Sequence, residues 1–150
     1  MAAGRLDIIA AILGGLQGIT VANGYATNVV EVEKLFKSWD DVAASQKPWV
    51  GFAPQVERYE YQPGHRIRCF LDLRLIAHVS EKTVDERYTA IENLSDDIIR
   101  ALRQSVIRGG CADSITLKEL ETDQADPLAF GSGSFAMLFT ITYYRTEPTA

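Results

Sequence analysis

Between Arg66 and Val79 apolar and polar residues alternate without a break. Ile67, Cys69, Leu71, Leu73, Leu75, Ala77 and Val79 share one parity; Arg66, Arg68, Phe70, Asp72, Arg74, Ile76 and His78 share the other. A period of two predicts a half-buried strand in an antiparallel sheet, with one face on the core. About thirteen residues at roughly 3.3 Å each reach about 45 Å, well beyond the usual strand of five or six residues. Such a strand either projects as a hairpin arm or pairing edge, or twists and bulges inside one monomer.

After a short break the period changes to that of a helix. Thr83, with Glu86 three residues on, forms the pattern of a capping box. Val84, Tyr88, Ile91, Ile98, Ile99, Leu102 and Val106 then make one apolar stripe, interrupted at Ser95. Arg100, Arg103 and Arg108 complement the helix dipole, and Gly109 stops the helix. A second helix is predicted at the N-terminus, where Leu6, Ile9, Leu13 and Leu16 recur at helical spacing with Ile12 beside them. Its apolar run falls short of the roughly 18 residues that span a bilayer, and Gly14, Gly15 and Gly18 weaken and end it.

Four further strands complete the expectation. After the Asn23-Gly24 turn signal, the β-rich run Tyr25–Val32 predicts a first strand. Residues 33–47 read as a short irregular helix or a long connection, with Phe36 and Trp39 either tucked under the sheet or serving a function. Pro48 opens a strand over Trp49–Ala53, either closed by Pro54 or extended through Val56–Tyr61 to the Pro63-Gly64 turn, and in either form a neighbour of the long strand. Ala112–Glu121 and Ser134–Tyr144 alternate as the last two strands, on either side of the acidic loop Thr122–Gly133. The fold class expected is α+β: a largely antiparallel sheet of about five strands, with two main helices on one face, in the order α-β-β-β-α-β-β. At 150 residues one domain spans the chain, long enough to bury roughly 70% of its unfolded surface.

Composition adds limits. With 15 basic and 20 acidic side chains the net charge is −5, which gives no global pull towards nucleic acid. The Arg66, Arg68, Arg74 row is therefore read as solvated charge or subunit salt bridges in preference to DNA contacts. Cys69 and Cys111 are too few and too far apart for a disulfide framework or a metal site; two reduced thiols are favoured, with a single bridge left open.

No residue pattern offers chemistry. Gly131-x-Gly133-x-x-Ala136 precedes a strand, so a phosphate there would meet no helix N-terminus. Glu121, Asp123 and Asp126 lack the spacing of a calcium loop. His65 and His78 differ in parity and cannot share a metal or a triad. Asn93-Leu94-Ser95 matches a glycosylation sequon but lies within the helix. Neither catalysis, cofactor nor metal is expected.

The overall pattern resembles a known family. The stretch Gly24-Tyr25-Ala26-Thr27-Asn28-Val29-Val30-Glu31-Val32, the Pro-initiated strand, the long strand running into a helix with Asp96-Asp97-Ile98-Ile99-Arg100-Ala101-Leu102, and the closing Phe139-Thr140-Ile141-Thr142-Tyr143-Tyr144-Arg145-Thr146 resemble the tail terminator, or tail-completion, proteins of long-tailed bacteriophages. The resemblance spans nearly the whole chain, but consists of hydrophobic patterns with a few fixed residues. It implies a ring, typically a hexamer, capping the head-proximal end of the tail tube. Its partners would be further copies of itself, the tube protein, head-completion or neck proteins and a sheath protein where the tail has one. DNA would pass through the lumen without sequence-specific binding, and no membrane or enzymatic activity is implied. The family supplies no motif residue to carry over; Phe36, Trp39, Arg66, Arg68, Arg74, Asp123 and Asp126 are interface candidates inferred from this sequence. Another neck or tail component, or a small ligand-binding α+β domain outside any virus, would fit the same pattern.

Overall fold

The alternating run at 66–79 is the central strand of the sheet. The computed structural model describes residues 4–122 and 133–146, and orders its elements α1 (Arg5–Gln17), β1 (Glu31–Glu33), β2 (Trp49–Gln62), β3 (Arg66–His78), α2 (Val84–Leu102), β4 (Ser114–Thr122) and β5 (Ser134–Thr146). Both helices and a five-stranded, mostly antiparallel sheet give the expected α+β class and element order. The strands lie in the order β1-β2-β3-β5-β4, and only β1 against β2 is parallel.

The predicted parity of β3 holds throughout. Ile67, Cys69, Leu71, Leu73, Leu75, Ala77 and Val79 are all buried, and each large aliphatic side chain so placed contributes about 1.5–3 kcal/mol. β5 supplies Phe135, Met137, Phe139, Ile141 and Tyr143 to the same core. It pairs with β3 over thirteen consecutive positions, from Arg66↔Thr146 to His78↔Ser134. α1 and α2 close this face.

Several sequence expectations need correction or refinement. The first strand, expected over Tyr25–Val32, shrinks to Glu31–Glu33, because the amides of Ala26 and Thr27 are taken by a side chain of α2 instead of a strand. The second takes the extended form of the two that were open: β2 runs past Pro54 to Gln62 and pairs with β3. A bulge between Pro54 and Glu57 lies where the strand has no outer neighbour among the described residues, so proline's missing N–H is harmless. On β4 a second bulge, between Leu117 and Glu119, brings Leu120 into line with Ile115 and Leu117 and turns Glu119 to the opposite face.

The helices also present slightly different faces from those expected. On α1 the buried row is Ile8, Ile12 and Leu16, with Ile9 and Leu13 at its flanks, and Leu6 is 81% exposed. Apolar residues occur around most of this helix, so their spacing alone does not select the packed side. On α2 the buried face includes Leu94 and Ala101 beside Ile91, Ile98 and Leu102, whereas Val84 and Tyr88 remain exposed. The first turn is capped by Thr83 alone, whose hydroxyl accepts from the Glu86 amide at 3.1 Å. Beyond Leu102 the helix widens into a π-helical turn, Arg103–Ile107, before Gly109.

Candidate functional site

With α1 and α2 on one face, the opposite face of the sheet is where the sequence placed most of its interface candidates. Arg66, Arg68 and Arg74 stand on it, as their parity requires, but in different settings. The Arg66 guanidinium lies 3.7 Å above the centre of the Tyr144 ring, and that of Arg68 lies 5.0 Å from the Phe70 ring. Stacking of this kind is worth about 0.5–1 kcal/mol at exposed sites and lays both side chains along the surface. Arg74 is exposed, bordering a shallow depression shared with Glu119, Glu121 and Leu138. About 26 Å of strand separates Arg66 from Arg74 at the usual rise, so the row is an extended surface and not a point site.

Asp72 organises the middle of this face. It accepts two hydrogen bonds from Arg58, at 2.6 and 3.1 Å, and one from the Thr140 hydroxyl at 2.9 Å. The Arg58 guanidinium, followed by the Thr140 hydroxyl, holds its carboxyl below the ordinary range. The fork-to-fork geometry fixes β2 to β3 across the open face.

Residues 34–47 cover one end of the same face. The backbone of Leu35 lies so close to Gly51 that a side chain there would collide with it and with the Trp49 ring. Trp49 stacks on His78 with ring centres 5.2 Å apart. His78 Nε2 lies 2.7 Å from the Lys37 carbonyl, and Nδ1 lies 2.7 Å from the Ser134 hydroxyl. A carbonyl only accepts, so Nε2 carries the proton. Trp39 donates its indole N–H to the Val79 carbonyl at 2.9 Å, and the Lys47 ammonium lies 3.2 Å above its ring. Burial lowers the Lys47 pKa. Trp39 is thus a partly buried anchor for the loop, while Phe36 beside it is 37% exposed. Asp123 and Asp126 lie outside the described residues.

The helix side holds polar groups that sequence reasoning passed over. Asp97, 5% exposed, accepts from the amides of Ala26 and Thr27 at 3.1 and 2.9 Å and from the Thr27 hydroxyl at 2.6 Å. Arg100, one turn on, donates to the Gly24 carbonyl at 2.6 Å and covers the Tyr25 ring at 4.4 Å. Together they bind the 24–27 loop to α2. A carboxylate sitting between Leu94 and Ala101 on the buried side of a helix was the available signal.

At the far end of the sheet, Glu57 accepts from both Tyr59, at 2.5 Å, and Tyr143. These contacts raise the pKa of Tyr59; burial, with Glu57 next, raises that of Tyr143. Cys69, beneath them, is pushed up mainly by burial. Both Cys69 and Cys111 are free thiols. Among the described residues no group of three His, Cys, Asp or Glu side chains converges as metal ligands, and no helix is long and apolar enough to cross a membrane.

Compared with known proteins, the chain matches no family model and no curated sequence.

Proposed function

We propose that this chain is a structural virion protein, a tail terminator of a long-tailed bacteriophage. Copies of it form a ring, typically a hexamer, on the head-proximal end of the tail tube. The ring stops tube growth and offers a joining surface to head-completion or neck proteins, and DNA passes through its lumen. The chain acts by assembly and not by catalysis.

The observation that supports this reading is the pair of open strand edges on opposite sides of the sheet. β1 covers β2 only from Trp49 to Gly51, which leaves the rest of β2 without an outer neighbour among the described residues. On the other side β4 pairs, among the described residues, only with β5. Each edge also exposes apolar surface: Val56, Tyr59 and Tyr61 on β2 are 57%, 47% and 68% exposed, and Leu120 on β4 is 43% exposed. Unpaired edges of this kind invite strand pairing with another chain. Two unlike edges on opposite sides suit a head-to-tail contact, and such contacts close into rings when the rotation between copies permits. The sequence resemblance points the same way.

The test is twofold. Light scattering and negative-stain imaging of the purified protein should give a closed ring of about six copies. Particles assembled without it should carry overlong tails of irregular length. A monomer at every concentration, together with tails of normal length in its absence, overturns the proposal.

A further inference from the structure

On the helix side, α1 and α2 converge at their C-terminal ends around a cleft of about 680 Å³. Arg100, Arg103 and Arg108 line it, and among the described residues no acidic side chain does, although the chain as a whole carries a net charge of −5. Complementing the helix dipole explains why cations gather at a helix end. It does not explain the concave floor, which is built from Gly14 and Gly15 of α1 and its C-cap Gly18.

Each part of the cleft has a physical reason for its shape. Gly15 presses on Ser105 of the π-helical turn, and a side chain there would overlap the Ser105 hydroxyl and crowd the Ala101 carbonyl. Only glycine lets the two helix ends approach this closely. Gly14 faces open space, with nothing within 4 Å of where its Cβ would stand. Arg100 is fixed in place by the Gly24 carbonyl and the Tyr25 ring, and Arg108 is steadied by Gln104 at 3.2 Å. The ion pairs among the described residues are Lys37–Glu33 and Arg58–Asp72, so no carboxylate among those residues pairs with any of the three arginines. The buried Ser105 hydroxyl, packed against Gly15, has no hydrogen-bond partner among the described residues.

We propose that this cleft binds a polyphosphate oxyanion. Arginine forks match phosphate oxygens two at a time. Eight residues separate the first arginine from the last, about 12 Å along a helix, which is room for more than one phosphate group. A single carboxylate would leave most of this positive charge unmatched. The volume falls within the usual range for small-molecule clefts. The phosphates could belong to a free polyphosphate or to a nucleic-acid backbone, and the two share the chemistry of the site. This site does not depend on the ring reading.

Tripolyphosphate is the probe, titrated calorimetrically into the full-length protein at low salt. Wild type should bind it, with affinity falling as salt rises. Arg103→Glu combined with Arg108→Glu should weaken binding at least about tenfold by replacing attraction with repulsion. Gly14→Glu should do the same by placing a carboxylate on the cleft floor, with every arginine kept and melting temperature maintained, since glutamate favours a helix more than glycine does. Absence of binding by wild type, or unchanged binding by Gly14→Glu, overturns the proposal. Excess duplex DNA then separates the sources: displacement of tripolyphosphate assigns the site to a nucleic-acid backbone, and survival assigns it to a free polyphosphate, each in keeping with an oxyanion cleft.

Discussion

Asp97 and Asp72 are both mostly buried carboxylates near the middle of the molecule, one on each side of the sheet, and the protein compensates them by different means. Asp97 is held by two backbone amides and a hydroxyl from one loop. Asp72 is held by an arginine whose side chain is 54% exposed and by one hydroxyl. Backbone donors are fixed by the fold and cannot swing to another protein partner, so removing Asp97 takes away the acceptor that ties their loop to α2. The arginine can swing into solvent when its partner goes, so removing Asp72 leaves little unsatisfied. The helix side is thus held by an anchor with few alternatives, and the open side by a clasp that can be released.

Three substitutions measure that contrast by urea denaturation. Asp97→Ala should cost about 3 kcal/mol, as the loop at 24–27 loses its attachment to α2 and its amides lose their acceptor; a cost below about 1 kcal/mol would erase the distinction. Asp72→Asn should cost about 1 kcal/mol or less, with the difference from wild type shrinking in high salt while that of Asp97→Ala persists. The sign with pH follows from the cause. Arg58 and Thr140 depress the Asp72 pKa, so its stabilisation is complete above the unfolded value of about 3.9. It is lost as pH falls through the lower folded value. Wild type and Asp72→Asn should therefore converge in melting temperature in strong acid and separate towards neutrality. Thr140→Val, which keeps the shape and drops one hydroxyl, should cost the least, about 0.5 kcal/mol; a larger loss than for Asp72→Asn would show that the hydroxyl, and not the arginine, holds the open face.

The same contrast explains what could be read from the sequence. The parity of β3 and β5 is legible because a two-residue period has only two phases, and one of them is continuously apolar from Ile67 to Val79. α1 is less legible, since a helix with Leu6, Ile8, Ile9, Ile12 and Leu13 offers several nearly equal faces, and the choice belongs to the packing partner. On α2 the stripe correctly included Ile91, Ile98 and Leu102, but spacing does not reveal how far the covered surface extends, so Val84 and Tyr88 were included although they lie exposed. The bulges on β2 and β4 are invisible to a strict alternation, and each reverses the parity beyond it. Among the interface candidates, the arginines were placed on the correct side of the strand. The capture of Arg66 by Tyr144 and of Arg58 by Asp72 depends on strand register, which the sequence does not print. The strand expected over Tyr25–Val32 failed for the same reason: nothing local indicates that Asp97, seventy residues away, claims its backbone.

The uninterrupted β3–β5 ladder, with Arg66 opposite Thr146 at one end and His78 opposite Ser134 at the other, makes the molecule mechanically anisotropic. Its inter-strand hydrogen bonds lie across the strands. A load that slides β3 along β5 is shared by every rung at once, whereas a load that peels them apart meets the rungs singly. The sheet is stiff along its strands and yields most readily when opened from an end, so the direction of a pull would decide its strength as much as the magnitude.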